Sequence, residues 1–287
     1  MPQAPGGATK RQATVAVDFE LGGIGLHSGK AARVRVCAAP PGHGRVFVRM
    51  DLNQAPIPAR SEQVSSTTLA TTLSSSSGSS LTSVSTVEHL LAAAYALGID
   101  NLLIQVWGPE VPVLDGSAQP WLDRMVPLVQ GVPAQTLEVL EPVELRDGPR
   151  WMRLLPAASL ALDVEIRFDH SAIGTQRWQG GAGDFGGIAS ARTFGFQDQI
   201  QAMHQAGLAL GGSLDNAVVF GARGPLNALR FPDEPVRHKA LDLFGDLALM
   251  GCRLQAQVQA HRPGHGMTHA LLQRLWAVPT AWRMVPG

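Results

Sequence analysis

Residues 231–251 read FPDEPVRHKALDLFGDLALMG, and the spacing of their apolar and polar residues predicts one helix. Asp233 or Glu234 is suited to cap its N-terminus, where a carboxylate can accept hydrogen bonds from free backbone N–H groups. Pro235 fits the first turn, because its missing N–H would be unpaired there in any case. Gly251 fits the end, since glycine readily adopts the left-handed conformation that stops a helix. The stretch therefore carries both a start signal and a stop signal.

The two faces of this predicted helix differ in chemistry. At about 100° per residue, His238, Lys239, Asp242 and Asp246 share one sector. The other side is apolar and consists of Val236, Ala240, Leu243, Phe244, Leu247 and Met250. His238 and Asp242 are four residues apart, so an imidazole and a carboxylate rise side by side and could bind one metal ion. A polar stripe is more often the solvated face of a helix, and Lys239 could simply form an ion pair with a neighbouring carboxylate.

The composition indicates a globular protein with a substantial core. The chain has 287 residues, of which 45% are hydrophobic and 16% charged, enough for one large domain or two of ordinary size. The formal net charge is +0, so no basic surface for nucleic acid is expected. The two cysteines, Cys37 and Cys252, are far apart in the sequence and indicate neither a disulfide framework nor a cysteine metal site.

The sequence also gives expectations for location and for two loose segments. No apolar run is long enough for a transmembrane helix, and the first residues, MPQAPGGATKRQ, lack the apolar segment of a signal peptide. We therefore expect a soluble, cytoplasmic protein. Residues 1–12 are expected to form a flexible tail, and the serine-rich residues 74–80 the tip of a loop.

Alternating polarity predicts strands in both halves of the chain, with fewer segments that predict helices. The predicted strands include both sides of the turn GIGLHSG (23–29), then 45–50, 101–107, LEVLEPVEL, WMRLLPA, SLALDVEIRFDH and 254–260, and the predicted helices include 86–97 and 267–276. The segment 130–136, QGVPAQT, has the composition of a linker. It predicts a boundary between two domains, 13–130 and 137–287.

Other histidines and acidic residues could complete a site. Glu88 and His89 are adjacent, as are the ligand and base of the metalloprotease motif H-E-x-x-H, although in reverse order. Ser85 and Glu88 also match the capping box S-x-x-E, in which Glu88 would bond to the backbone instead. His265 lies between two glycines and is free to approach a substrate, but a loop histidine is more often simply exposed. His27, in the GIGLHSG turn, is expected to bond to backbone.

Eight segments together resemble the UDP-3-O-acyl-N-acetylglucosamine deacetylase family, the zinc enzymes that commit bacterial cells to lipid A synthesis. They occur in the order of the family and span nearly the whole chain. The segments are GIGLHSG (23–29), STVEHLLAA (85–93), GIDNLLIQV (98–106), PEVPVLDGSA (109–118), SARTFGF (190–196), GGSLDNAVV (211–219), VRHKALDLFGDL (236–247) and GHGMTHALLQ (264–273). Each segment alone is a weak signal, but the set is very specific.

The resemblance implies a metal site and two acid–base groups. His89, His238 and Asp242 are the implied ligands of Zn²⁺, with Fe²⁺ as the alternative metal, and two histidines with one carboxylate suit a catalytic zinc site. Glu88 is the implied general base. His265 is the implied general acid, or the cation that stabilises the oxyanion.

The resemblance also implies positioning and substrate-binding residues. Asp246 would orient His265, and Thr193 of SARTFGF would donate a hydrogen bond to the oxyanion. Lys239 and Phe168 correspond to the family's contacts with diphosphate and uracil. The segment at about 194–220 would be the insert that forms an apolar passage for the acyl chain. The residues expected to bind the chain there are Phe194, Ile200, Leu214 and Val219.

The implied fold is α+β, with two similar domains, each a β-sheet packed on helices, and the active site between them. The implied reaction removes the N-acetyl group of UDP-3-O-acyl-N-acetylglucosamine, giving acetate and UDP-3-O-acyl-glucosamine. The implied partner is this acylated UDP-sugar, with transient contact with membrane lipid and no nucleic acid. We expect a monomer in the cytoplasm of a bacterium of the Gram-negative type.

Two other functions remain open from the sequence. A non-catalytic protein of the same fold could bind a nucleotide sugar or an acyl chain, but Glu88, His265, Thr193 and all three ligands are present, which argues against it. A zinc amidohydrolase with a different substrate would keep every catalytic group. The apolar segment 194–220 and Lys239 favour an acylated nucleotide sugar.

Overall fold

The structure, a computed structural model, describes residues 10–52, 56–77 and 80–287, and its fold is α+β as predicted. The first half contains β1 (Arg11–Val15), β2 (Phe19–Ile24), β3 (Ala31–Ala38), β4 (Arg45–Arg49), β5 (Ile57–Pro58), β6 (Val64–Ser66), β7 (Thr72–Ser77), β8 (Ser80–Ser85), α1 (Glu88–Ala96), β9 (Leu102–Trp107), α2 (Gln119–Leu122) and β10 (Pro127–Pro133). The second half contains β11 (Gln135–Val139), β12 (Val143–Asp147), β13 (Arg150–Leu155), β14 (Ala161–Arg167), β15 (Thr175–Gly181), β16 (Phe194–Phe196), α3 (Gln197–Gln205), β17 (Val218–Gly221), β18 (Gly224–Pro225), α4 (Glu234–Leu247), β19 (Arg253–Gln255), β20 (Gln257–His261), α5 (His265–Trp276) and β21 (Trp282–Pro286). Short 3₁₀ helices lie at Ser61–Gln63, Ala182–Gly187, Ala248–Met250 and Pro279–Ala281.

Each half contributes a five-stranded sheet, and the two sheets have the same topology. The strand order is β2-β3-β9-β4-β5 in one and β12-β13-β20-β14-β15 in the other. In both, the central strand comes last along the chain and is parallel to one neighbour, whereas every other pair is antiparallel. The prediction of two similar units is thus confirmed, although the two halves share no visible sequence repeat. We propose that these units correspond to the predicted domains, 13–130 and 137–287.

Helix α4 matches the predicted periodicity but buries both of its faces. It runs from Glu234 to Leu247 and continues as a 3₁₀ turn that ends at Gly251, whose φ is 72°. The apolar side is buried as predicted. The polar side is buried too, since His238 is 2% exposed and Asp242 is 5% exposed. The polar stripe is therefore not the solvated face of the helix.

The predicted capping of α4 is wrong in its detail. Asp233 occupies the N-cap position, but its side chain makes no hydrogen bond to the helix amides. It accepts a hydrogen bond from Arg237 Nε instead, at 2.7 Å. The Glu234 carboxylate is buried and accepts from Arg192 Nε at 2.9 Å. Asp233 therefore bonds within its own helix, at i, i+4, whereas Glu234 holds Arg192 against the start of the helix.

Helices α1 and α4 pack directly against each other in the centre of the molecule. All side chains from Glu88 to Tyr95 on α1 are buried. A Cβ atom built on Gly245 of α4 would lie 2.2 Å from the Glu88 carbonyl oxygen, so only glycine fits here. This close approach brings the first turn of α1, including His89, next to the polar side of α4.

The predicted start of α1 and its capping box are also wrong. The helix begins at Glu88 rather than at residue 86. Ser85 is the last residue of β8, and its hydroxyl forms a hydrogen bond with Thr72 Oγ1 at 2.9 Å. Thr86 has a φ of 57°, so the chain turns sharply between the strand and the helix. The Glu88 side chain is consequently free of any capping role.

The predicted linker and tail contain strand residues. Strand β10 pairs antiparallel with β1, with Arg11 opposite Pro133, and β11 follows from Gln135. Residues 11–12 of the predicted tail therefore belong to β1, which forms a two-stranded sheet with β10. The prediction of a loop tip at 74–80 is wrong for residues 74–77, which belong to β7, and for Ser80, which begins β8. Residues 1–9 of the tail and 78–79 of the serine-rich segment lie outside the described residues. Within the described part of the chain, no helix has the length and hydropathy to cross a membrane.

Candidate active site

The predicted metal ligands meet at one buried point. On α4, His238 Nε2 lies 3.3 Å from Asp242 Oδ1. His89 Nε2, on α1, lies 3.6 Å from the same oxygen. The two imidazole rings are edge to face, with centroids 5.1 Å apart. One ligand atom from each of the three side chains lies within 4.8 Å of the other two. Among the residues that the structure describes, these three side chains are the group that could hold a metal ion.

The protonation states of these side chains fit a divalent metal ion. Burial lowers the pKa of His238 to about 3, so its imidazole is neutral and offers a lone pair. Its Nδ1 atom lies 3.0 Å from the Ala191 carbonyl oxygen, which can accept a hydrogen bond from Nδ1–H and so leaves the Nε2 lone pair facing the site. Burial opposes ionisation of Asp242, but the positive charges of Lys239 and His265 outweigh it and hold the pKa of this carboxyl well below its usual range. Two imidazoles and one carboxylate form a fitting donor set for such an ion.

Glu88 and His265 lie beside the ligands and face each other. His265 Nε2 is 3.7 Å from Glu88 Oε1, and both side chains are buried. Burial raises the pKa of Glu88, while His265 and His89 act in the other direction. His265 is the first residue of α5 rather than part of a loop, which corrects the prediction for this position. Glu88 and His265 are therefore two buried titratable side chains that face each other beside the three candidate metal ligands.

Asp246 contacts the ring nitrogen of His265 that points away from Glu88, which is compatible with the predicted orienting role. His265 Nδ1 lies 2.8 Å from Asp246 Oδ2 and 3.0 Å from Oδ1. Burial disfavours the imidazolium, but Asp246 and Glu88 outweigh it and raise the pKa of His265 to about 10. The ring is thus cationic at neutral pH, with its Nε2–H directed towards Glu88.

The sequence left two roles open for Lys239, and the structure is compatible with both. Its ammonium donates a hydrogen bond to Asp242 Oδ2 at 2.8 Å, the ion pair expected at i, i+3. It also lies 5.6 Å from the centroid of the Phe194 ring and lines the cavity in front of the metal site. Asp242 therefore directs one oxygen to the histidines and the other to a cation.

A cavity of about 940 Å³ opens in front of these groups, near the upper end of the usual range for ligand sites. Of the predicted site residues, those that line it are Glu88, His89, Thr193, Phe194, Ile200, Leu214, Val219, His238, Lys239, Asp242 and His265. Asp246 lies behind the wall. Phe168 is not part of the lining either and packs against Phe194, with ring centroids 5.5 Å apart. The structure thus gathers the predicted site in one place, except that Phe168 stands behind another aromatic ring.

The insert forms one wall of the cavity and is fastened to the first half of the chain. The predicted insert, at about 194–220, contains β16, α3 and most of β17. Leu210 N donates to the His27 carbonyl oxygen at 3.1 Å, and Gly211 N donates to that of Leu26 at 3.0 Å. His27 Nδ1 accepts a hydrogen bond from Ala209 N at 3.3 Å, which confirms its predicted bonding to backbone. His27 also lines the cavity, which its place in a turn did not indicate.

Sequence reasoning missed two buried residues next to this site. The Glu110 carboxylate accepts hydrogen bonds from the His27 and Ser28 amides, both at 2.9 Å, and so fixes the turn that holds the insert. Thr71 contacts both Glu88 and Asp246. Glu110 lies in PEVPVLDGSA, one of the segments that resemble the family, so the sequence did contain a reason to consider it. Thr71 lies in a run of serines and threonines, where nothing distinguishes it from its neighbours.

A site of this kind places the protein among the metal-dependent hydrolases, because a divalent ion beside a buried base and a cationic acid is suited to activate water. Comparison with known proteins then identifies the family. The profile of the UDP-3-O-acyl N-acetylglycosamine deacetylase family matches residues 12–277. The chain belongs to this family, as the resemblance predicted.

Individual relatives agree with the family match. The chain is 46% identical over 269 residues to the UDP-3-O-acyl-N-acetylglucosamine deacetylase of Thermosynechococcus vestitus, covering 92% of this chain and 93% of that one. It is 41% identical over 285 residues to the enzyme of the same name from Myxococcus xanthus, covering 96% and 90%. The prediction of a deacetylase that acts in lipid A synthesis is therefore confirmed at the level of the family.

Proposed function

We propose that this protein hydrolyses the N-acetyl amide of UDP-3-O-acyl-N-acetylglucosamine, in the committed step of lipid A synthesis. The products are acetate and UDP-3-O-acyl-glucosamine. The observation that carries the proposal is a single cavity in which the three ligand side chains and the Glu88–His265 pair adjoin an apolar wall formed by the insert. One acylated sugar could then present its amide to the ligands while its acyl chain lies along the insert.

The metal at His89, His238 and Asp242 is proposed to be Zn²⁺, with Fe²⁺ as the alternative. Imidazole nitrogens and a carboxylate suit either ion. When bound, the ion would acidify a water molecule and polarise the amide carbonyl.

The acid–base steps are assigned to Glu88 and His265. The Glu88 carboxylate accepts a proton from the attacking water, and its burial makes it a stronger base than an exposed carboxylate. His265 donates its Nε2 proton to the leaving nitrogen, because an amide has no viable leaving group until that nitrogen is protonated. Asp246 keeps the imidazole oriented and charged. The Thr193 hydroxyl, on the cavity wall, is proposed to donate to the oxyanion, a contact worth about 3 kcal/mol in other hydrolases.

The remaining contacts are assigned by their chemistry. Lys239 is proposed to bind the diphosphate, and Arg150, which also lines the cavity, adds a second cation for it. Phe168 is kept as the proposed contact for uracil, at the aromatic cluster that it forms with Phe194 and Phe196. Phe194, Ile200, Leu214 and Val219 are proposed to line the passage for the acyl chain.

We further propose that the protein works as a monomer in the cytoplasm of a bacterium of the Gram-negative type. Transient contact with membrane lipid is supported by Leu210, Leu214 and Leu226, which are 51%, 49% and 49% exposed. Leu214 and Leu226 also border the cavity, so a substrate chain could pass between the lipid and the passage without full exposure to water.

The substrate assignment predicts a strong dependence on the acyl chain. Acetate release should proceed with UDP-3-O-acyl-N-acetylglucosamine, and kcat/KM should fall roughly 100-fold or more with UDP-N-acetylglucosamine, because burial of each CH₂ contributes about 0.8 kcal/mol. The measurement is acetate release by the metal-loaded protein with each substrate. Equal rates would contradict the acyl passage. Release only from an unrelated acetamide would indicate an amidohydrolase with another substrate, and no release at all would favour a binding protein.

A further inference from the structure

Thr71 lies between the carboxylates of Glu88 and Asp246 and is almost fully buried, with 1% of its surface exposed. It stands just before β7, in the first half of the chain. Its backbone N–H donates to Glu88 Oε2 at 3.2 Å. Its hydroxyl donates to Asp246 Oδ1 at 2.8 Å, across to α4 in the second half. A single residue therefore binds both the proposed base and the carboxylate that orients the proposed acid.

The contacts around Thr71 form a closed ring of four residues. Thr71 bonds to Asp246, Asp246 to His265 Nδ1 at 2.8 Å, and His265 Nε2 faces Glu88 Oε1 at 3.7 Å. The Thr71 amide completes the ring at the second oxygen of Glu88. One Glu88 oxygen is thereby held by backbone, and the other is left to face His265. Because each member limits the position of the next, loss of one bond should disturb the whole arrangement.

The backbone around Glu88 is tied to the same residue. The Thr71 carbonyl oxygen accepts a long hydrogen bond from Val87 N, at 3.5 Å, immediately before α1 begins. Thr71 thus contacts the start of α1 through its main chain and α4 through its side chain. It is not among the residues that line the cavity, so it does not reach the space in which a substrate would bind.

We infer that Thr71 is a positioning residue that sets the geometry of Glu88 relative to the Asp246–His265 pair, with its hydroxyl as the essential group. This inference rests on the proposed function for the roles of Glu88 and His265. Its basis in the structure is the pair of hydrogen bonds from one buried residue to both carboxylates. Small displacements of catalytic groups lower rates steeply, since about 1 Å of misplacement can reduce turnover roughly 100-fold.

The test compares Thr71→Val, which has nearly the same shape but no hydroxyl, with Thr71→Ser, which keeps it. Both variants keep the backbone N–H that binds Glu88. In Thr71→Val we expect kcat to fall roughly 10- to 100-fold with KM and bound metal unchanged. The kcat of Thr71→Ser should stay within a few-fold of the wild-type value. Thr72→Val is the matched control, because it removes a neighbouring hydroxyl that bonds to Ser85 and touches neither carboxylate.

The inference is overturned if Thr71→Val keeps the wild-type kcat, if its loss lies entirely in KM, or if Thr72→Val loses as much. If Thr71→Val does not fold, Thr71→Ser carries the test, and a tenfold or greater loss of its kcat overturns the inference. A second measurement does not need turnover. The ring-nitrogen NMR signals of His265 should shift in Thr71→Val and not in Thr72→Val, and unchanged signals would contradict the inference. A wild-type protein that releases no acetate would instead contradict the proposed function.

Discussion

Glu88→Gln is expected to retain its metal ion and to lose most of its turnover. The substitution keeps the shape of the side chain but removes the carboxylate that takes the proton from water. General-base catalysis typically contributes a factor of about 10² to 10⁴, so kcat should fall within that range. KM should change little, because Glu88 is assigned no contact with the UDP group or the acyl chain. The measurement is kcat and KM for acetate release, with metal content determined on the same sample.

The control for this variant is Glu141→Gln, which removes an exposed carboxylate elsewhere in the second half. Its kcat, KM and metal content should equal those of the wild type. Full activity in metal-loaded Glu88→Gln would remove the base assignment. Loss of the metal together with activity would mean that Glu88 helps to hold the ion, and this would contradict the proposed ligand set of His89, His238 and Asp242.

His238→Ala is expected to lose bound metal and, with it, activity. The imidazole is buried, neutral and oriented by the Ala191 carbonyl, so its removal takes away one of three donors. The effect on metal affinity should exceed the roughly 10- to 100-fold that follows from changing an outer-shell partner. Metal content after dialysis against a weak chelator, measured with a metal-specific assay, gives the result.

His43→Ala is the matched control, because His43 is a part-buried histidine that bonds to the Gly44 carbonyl oxygen rather than to the site. It should bind metal as the wild type does. One equivalent of metal in dialysed His238→Ala would contradict the ligand set. A melting temperature far below that of the metal-free wild type would show that the substitution damages the fold as well.

The chemistry of α4 could be predicted from the sequence, but the burial of its polar side could not. The 3.6-residue period placed His238 and Asp242 side by side, which needs only local geometry. Whether that side faces water depends on what packs against it, and the partner is α1, more than 140 positions earlier in the sequence. The contact depends on Gly245, whose missing side chain makes room for the Glu88 backbone. Nothing local indicates such a requirement.

The same limit explains the errors at the capping box and the linker. Ser85 and Glu88 match a local motif, yet Ser85 is held in β8 by Thr72, and the α1 start shifts accordingly. Residues 130–136 have the composition of a linker, yet most of them belong to strand β10. This strand forms because β1, at the start of the first half of the chain, pairs with it. In both places a long-range pairing outweighs the local preference.

The site residues fall into two groups for a similar reason. His89, His238, Asp242, Glu88 and His265 lie in segments that resemble the family, so their identities could be carried over directly. Thr71 has no such signal, because the bonds that distinguish it are to α1 and α4. Phe168 was carried over with the others, but the cavity wall in front of it is Phe194.

The most direct test of the central claim is acetate release from UDP-3-O-acyl-N-acetylglucosamine by the wild-type protein before chelation, after chelation and after return of Zn²⁺. We predict that activity is lost with the chelator and returns with the metal. The reason is that His89, His238 and Asp242 are proposed to act only as ligands of the ion, which activates the attacking water. Undiminished activity in protein shown to be free of metal would contradict the account. So would a folded, zinc-loaded protein that releases no acetate.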